Sequence, residues 1–438
     1  MPGDRILAPS RAARRGFRRP RARARAALAA LLAALGAGAL AADGAPAATP
    51  LSALQGLLGR QLALAGPASS ASVYDLSARR TLFSARASAM RPPASVEKLY
   101  TATAALERLG PGARVSTEVL GTGMLAPEGV WEGSLYLRGG GDPTFGSSAF
   151  IRAHYGGVGA SVSELASQLV STDGIREVTG SIEGDESYLN SARGEPASGY
   201  APDPFLEGTL SALAFNRGEG GSEGGPHAPA EYAARQLYAG LRQAGVRVDG
   251  SVGSAVTPNT ARALAVVPSP TLAQLLGLML PPSDNFFAET LIKDLGARFG
   301  GDGATGAGAA VVRDTIAASF GLRPQVVDGS GLSRSDRTST SQVARLLVAL
   351  ASSPLGAVLR GDLAVVGRTG TLAHRMRGTR AAGRCEAKTG TLIGASNLAG
   401  YCRSTRGHVL AFAFFDDGIA VELAHAVQDR MTIALAGY

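Results

Sequence analysis

Lysine is nearly absent from this chain. Of 43 basic residues only Lys98, Lys293 and Lys388 are lysine, and the rest are arginine. Arginine stays charged at any workable pH, whereas a buried lysine can lose its proton and act as a base. The three retained lysines therefore direct attention to their neighbours. Aromatic residues make up only 5%, while 58 Gly and 23 Pro predict many loops and tight turns. The five histidines, at 154, 227, 374, 408 and 425, show no ligand spacing, so neither a metal nor a cofactor is implied. No nucleophile elbow supports a conventional Ser-His-Asp hydrolase. Beyond the N-terminal tail, no apolar run is long and uninterrupted enough to span a bilayer.

The length of 438 residues, 45% of them hydrophobic and 18% charged, allows a large core and suits two or three domains. It excludes a disordered or fibrous chain. The net charge of +8 at first suggests an acidic partner. Its distribution removes that idea. Residues 1–41 hold nine of the 43 basic residues and one of the 35 acidic ones, which leaves 34 of each elsewhere. A nucleic-acid footprint is thus not supported.

That tail has the layout of an export signal. An arginine-rich stretch to Arg25 precedes apolar Ala26–Ala42, and small-residue cleavage sites follow at Ala39-Leu40-Ala41 and Ala45-Pro46-Ala47. Arg14-Arg15-Gly16-Phe17 is similar to a twin-arginine signal. An uncleaved anchor is the alternative; after removal of the signal no integral span remains. The expected location is periplasmic or extracellular.

The two cysteines, Cys385 and Cys402, suit export. They flank a strand–turn–strand pattern and lie equally far from a turn near Ile393-Gly394. They should face each other across an antiparallel pair and form a disulfide. A one-residue register slip would instead leave two unpaired thiols.

Lys98 lies in Pro92-Pro93-Ala94-Ser95-Val96-Glu97-Lys98. A helix is expected from Ser95 to about Leu109, ended by Gly110-Pro111, with Leu99, Ala102, Leu106 and Leu109 inward. Ser95 and Lys98 then share one face. Ser95 could merely cap the helix, but a capping box places Glu or Gln where Lys98 stands. A cation there opposes the helix dipole by about 0.3–1 kcal/mol. A serine nucleophile needs an adjacent base, which a desolvated lysine supplies.

Lys388, in Lys388-Thr389-Gly390-Thr391, reads as part of the strand entering the cysteine-flanked hairpin. Gly390 would let a substrate backbone approach, and Lys388 with the two threonines offers charge and hydroxyls to a carboxylate. The plain alternative is an exposed edge strand. Arg368-Thr369-Gly370-Thr371-Leu372 repeats the pattern with arginine, but the residues after it do not alternate, so it reads as a loop before the hairpin. Ser283 and Asn285 fall in a turn between helices expected at 272–280 and 286–296. Helix capping is the competing role for both. Lys293, inside the second helix, reads as a surface residue.

Ser-x-x-Lys, Ser-Asp-Asn and Lys-Thr-Gly in this order form the motif set of penicillin-binding proteins and serine β-lactamases. With Leu137–Thr144, Val327–Arg334 and Gly370–Met376, the chain from about residue 50 onward resembles the D-alanyl-D-alanine carboxypeptidase/endopeptidase family (peptidase family S13, the class C low-molecular-mass penicillin-binding proteins). The resemblance implies an α+β transpeptidase-like fold, an antiparallel sheet flanked by helices. Residues 48–113 and 268–438 would form the catalytic domain, interrupted at 114–267 by a β-rich insertion of two nested domains. It also implies catalysis by Ser95, Lys98, Ser283 and Asn285, and substrate binding by Lys388, Thr389, Gly390 and Thr391. The expected substrate is a peptidoglycan stem peptide ending in D-Ala-D-Ala, with β-lactam antibiotics acylating the same serine. A serine β-lactamase or an esterase of the same fold is the nearest alternative. Class A β-lactamases deacylate with a further glutamate, and here only Glu289 and Glu386 lie between Asn285 and Lys388. A non-catalytic wall-binding protein would not need an intact Ser95–Lys98 pair.

Overall fold

The computed structural model describes residues 51–218 and 228–438. The export-signal reading, its cleavage sites and His227 lie outside the described residues. Among the described residues no single helix is long and apolar enough to cross a membrane, and no group of three or more His, Cys, Asp or Glu is arranged to hold a metal.

Alternating side chains build the main sheet. In Val409–Asp417, Leu410, Phe412 and Phe414 enter one core while Ala411, Ala413 and Phe415 enter another. A strand points successive side chains to opposite faces, so a strand apolar on both faces must lie between two layers. The first layer holds the helices Leu51–Leu64 and Val421–Gly437, through Leu54, Leu58, Val427 and Met431. The second holds the helices Lys98–Leu109, Asn285–Leu295, Thr305–Phe320 and Thr340–Leu350. Each buried Phe or Leu contributes about 1.5–3 kcal/mol.

This sheet has six strands in the spatial order Ala364–Val365, Cys385–Leu392, Ala395–Arg403, Val409–Asp417, Ser69–Asp75 and Arg80–Ala85, all paired antiparallel. The hairpin at its centre reverses at Ile393-Gly394, where Gly394 takes φ +75°, a conformation glycine adopts freely. Its register sets Cys385 directly opposite Cys402, and a disulfide joins them with Cα atoms 4.0 Å apart.

The described residues between 116 and 268 form a five-stranded and a four-stranded sheet, both with parallel as well as antiparallel pairs. The α-helices Ser148–Tyr155, Val162–Ser171 and Pro229–Gln243 accompany them. The apolar cluster there draws on Trp131, Leu135, Leu165, Leu237 and Val267.

Candidate active site

Ser95 stands on a turn that other parts of the chain hold in place. The chain enters through Pro92-Pro93, and Ala94 bends at φ +47°, an unfavourable conformation for a residue with a side chain. Asn397 Nδ2 holds the bend by donating to Pro92 O at 2.9 Å and Pro93 O at 2.7 Å. Ala94–Glu97 is a 3-10 turn, and the α-helix begins at Lys98, three residues later than the pattern suggested. In a 3-10 turn, with about three residues per turn, side chains at i and i+3 eclipse. That brings Ser95 Oγ within 3.1 Å of Lys98 Nζ. No side-chain cap is made at the start of either helical segment, so Ser95 is not a capping residue.

Lys98 is fully buried. Its Nζ donates to Ser95 Oγ, to Asn285 Oδ1 at 2.6 Å and to Ser330 O at 2.8 Å. Burial pushes its ammonium down to about 8, against the opposing pull of Asp328 and Glu289. Its place in the first helical turn also disfavours the cation. A lysine poised near neutrality is suited to general-base work.

The Ser330 carbonyl is set by a loop fastened through buried carboxyl groups. Glu289 Oε1 accepts from Gly329 N at 2.9 Å and Ser330 N at 2.7 Å, and Asp328 accepts from Gly331 N and Ser333 N at 2.6 Å each. Burial and the nearby Asp328 raise Glu289 to about 8. Glu289 therefore holds the 329–330 loop. Gly331, at φ +83°, lies where a Cβ would sit 2.0 Å from Ala94 O. Only glycine permits that contact between the loop and the Ser95 turn.

The second lysine–serine pair faces the first. Lys388 is fully buried, and its Nζ donates to Ser283 Oγ at 2.7 Å and Thr389 O at 2.8 Å. Burial, together with the Lys98 charge, holds Lys388 well below the usual lysine range. Ser283 takes φ +70°, an uncommon conformation that needs support from its surroundings. Asp284, and neither Ser283 nor Asn285, caps the following helix by accepting from Phe287 N at 3.0 Å. Asn285 is the first residue of that helix, one position earlier than the sequence pattern suggested, because the cap falls on Asp284. Its Nδ2 donates to Phe205 O at 2.7 Å. Both amide atoms are thereby assigned, and Oδ1 faces Lys98.

A Cβ on Gly390 would lie 2.6 Å from Pro93 O and 3.0 Å from Ser95 N. The backbone that presses on this strand is the chain's own, at residues 93–96. The Arg368–Leu372 repeat is a loop with a short 3-10 turn, as expected. It lies under the site: Thr371 N donates to Pro281 O at 3.0 Å, and Thr389 Oγ1 donates to Thr371 Oγ1 at 2.8 Å. In the 137–144 segment, Asp142 Oδ1 accepts from Thr144 N and Oγ1 within its own turn.

Lys293 corrects the surface reading. It is fully buried, and Nζ donates to Asn190 O and Ala192 O, each at 3.0 Å. A lone lysine on a helix resembles a solvating residue in the sequence, and its acceptors lie a hundred residues away. Ser330 O, the third acceptor of Lys98, lies within the Val327–Arg334 motif, but a backbone carbonyl has no residue type to mark it.

The arrangement holds two hydroxyls that reach the surface, each beside a buried lysine of depressed basicity. Such a site can activate a hydroxyl for attack on an acyl group and pass the proton onward. Residues 54–203 and 225–438 match the family model described as D-Ala-D-Ala carboxypeptidase 3 (S13) family. The chain is similar to the D-alanyl-D-alanine carboxypeptidase of Actinomadura sp. (strain R39), at 30% identity over 86% of this chain and 82% of that one. It is also similar to carboxypeptidase DacB of Mycolicibacterium smegmatis, at 29% identity over 74% of this chain and 71% of that one. Among solved structures, penicillin binding protein 4 (dacB) from Haemophilus influenzae superposes with a TM-score of 0.70 at 21% identity, covering 85% of this chain and 97% of its own.

Proposed function

Because this chain belongs to the D-Ala-D-Ala carboxypeptidase 3 (S13) family and is a serine-type D-Ala-D-Ala carboxypeptidase, we propose that Ser95 is its nucleophile and Lys98 the general base. The observation that carries this assignment is Lys98 Nζ lying 3.1 Å from Ser95 Oγ inside a buried cage of acceptors.

Neutral Lys98 takes the Ser95 proton as Oγ attacks the carbonyl carbon between two D-alanines. The backbone N–H groups of Ser95 and Thr391 receive the developing oxyanion. Ser283 relays a proton to the leaving amine nitrogen, and D-alanine departs. Water then attacks the ester, returning the proton to Ser95 Oγ. Asn285 holds both Lys98 and the substrate's peptide group. Lys388 and Thr391, with Thr389 and Gly390 on the same strand, take the terminal carboxylate. A carboxylate arriving beside Lys388 restores the charge that burial suppresses.

The natural substrate in this reading is a peptidoglycan stem peptide ending in D-Ala-D-Ala, and β-lactams acylate Ser95 in its place. The relative from Haemophilus influenzae is known in complex with a β-lactam. Work on the wall outside the membrane agrees with the disulfide between Cys385 and Cys402. We take 48–113 and 268–438 as the catalytic domain and 114–267 as its insertion, a division supported by the separate apolar cluster formed by 119–267.

The test is release of D-alanine from a synthetic stem pentapeptide, measured beside cleavage of a cross-linked dimer. Release by the wild type and loss in Lys98→Ala are expected. An intact pentapeptide after prolonged incubation with folded wild-type enzyme would overturn the substrate assignment.

A further inference from the structure

The catalytic turn is held from outside its own domain. Ser283 occupies a left-handed conformation, and the residue after it, Asp284, is buried with two jobs. Its Oδ1 caps the helix that carries Asn285, and its Oδ2 accepts from Arg217 Nη2. Arg217 comes from the 114–267 region. Its side chain is 12% exposed. Nε donates to Tyr155 OH at 2.9 Å and Nη1 to Glu207 O at 3.0 Å. The guanidinium also packs over the rings of Phe286 and Phe287, the two residues that follow Asn285. Arg217 itself stands at φ +61° beside Asn216 at φ +49°. Neither conformation is favoured for residues with side chains, so the surroundings specify them. Asn216 Oδ1 accepts from Ser147 N at 2.9 Å, and Arg217 O accepts from Thr209 N at 2.8 Å.

We propose that Arg217 is a positioning residue for the reaction: through Asp284 it fixes the Ser283–Asn285 turn, and so sets the distances of Ser283 to Lys388 and of Asn285 to Lys98. The proposal rests on the catalytic roles given above. Its physical basis is geometric. Ser283 and Asn285 flank Asp284 directly, and a carboxylate held on one side by a helix N-terminus and on the other by a rigid guanidinium fork has little freedom. Loss of the guanidinium frees Oδ2, and the strained Ser283 relaxes away from Lys388. A displacement of about 1 Å at a reacting group is worth on the order of 100-fold in rate.

A pocket of about 450 Å³ lined by Phe150, His154, Tyr155, Arg217 and Asp284 opens beside the pair. Removing the arginine side chain enlarges that pocket, and a small cation can enter from solvent. The experiment measures the rate of acylation by a fluorescent penicillin for wild type, Arg217→Ala, Arg217→Lys and Asp284→Asn, with circular dichroism as the check on folding. For Arg217→Ala we expect a fall of about 10- to 100-fold, with partial recovery in added guanidinium chloride at non-denaturing concentration and none in sodium chloride. Arg217→Lys should fall between alanine and wild type. Should Arg217→Ala fail to fold, Asp284→Asn keeps the cap and the volume while removing the ion pair, and the same direction of change is expected. A folded Arg217→Ala or Asp284→Asn acylated at the wild-type rate overturns the proposal. So does a slow Arg217→Ala that guanidinium does not speed. If the wild type itself is not acylated, the catalytic assignment falls instead, so the two failures are distinguishable.

Discussion

Asn285 Oδ1 accepts a 2.6 Å hydrogen bond from Lys98 Nζ, while its Nδ2 donates to Phe205 O. An acceptor on the ammonium stabilises the charged form of Lys98. Asn285→Ala should therefore lower the Lys98 pKa and move the acidic limb of the acylation rate to lower pH. At the same time the base loses its orientation, and the plateau rate should fall by about 10- to 100-fold, the worth of a hydrogen bond to a charged group. Stopped-flow acylation between pH 5 and 10 separates the two effects. A lower plateau with an unmoved limb would remove Asn285 from the tuning of Lys98.

In the wild type the acylation rate should rise with pH to a midpoint near 8, where Lys98 gives up its proton. Lys98→Arg keeps charge and bulk but cannot deprotonate. It should lose about 100- to 10,000-fold at every pH in that range, with no rise near 8.

Stability should fall as pH rises from about 5 to 8. Burial raises Asp142, Asp362 and Asp416 to about 6, and burial with Asp328 raises Glu289 to about 8. These groups keep protons in the folded state that they release in the unfolded chain, so the folded state binds more protons between the unfolded and folded pKa values. Stability is then fully present below about 4 and lost as pH passes each folded value. Glu289→Gln removes one such group, and its Tm should decline less than the wild type's between pH 6 and 8. A Tm that climbs over this range in the wild type would contradict the assignment of neutral buried carboxyls.

Gly390→Ala tests how closely the Lys388 strand meets the Ser95 turn. The added methyl would lie 2.6 Å from Pro93 O and 3.0 Å from both Ser95 N and Val96 N, all backbone atoms. Overpacking of this kind costs about 1–3 kcal/mol, and the backbone must move at residues 93–96. A lower Tm together with slower acylation is expected; slower acylation at an unchanged Tm would mean the methyl meets substrate and not the turn.

Much of the hairpin and the motif residues was legible before the structure. Cys385 and Cys402 pair as the symmetric spacing about Ile393-Gly394 indicated, because turn type and loop length fix the register of a hairpin. Ser95 and Lys98 meet as their i,i+3 spacing indicated, although the turn is 3-10 and not α, a distinction to which that spacing is blind. What could not be read depends on distant backbone. Lys293 is buried by the carbonyls of Asn190 and Ala192, and Lys98 is steadied by Ser330 O. The left-handed Ser283 and its Arg217–Asp284 support depend on a segment some seventy residues earlier in the chain.

Every catalytic role proposed here depends on acylation at Ser95. Wild-type enzyme and Ser95→Ala, each incubated with benzylpenicillin, digested and analysed by tandem mass spectrometry, test it directly. One penicilloyl adduct is expected in the wild type, located on Ser95, and none in the variant. An adduct on another serine, or one that persists in Ser95→Ala, would contradict it.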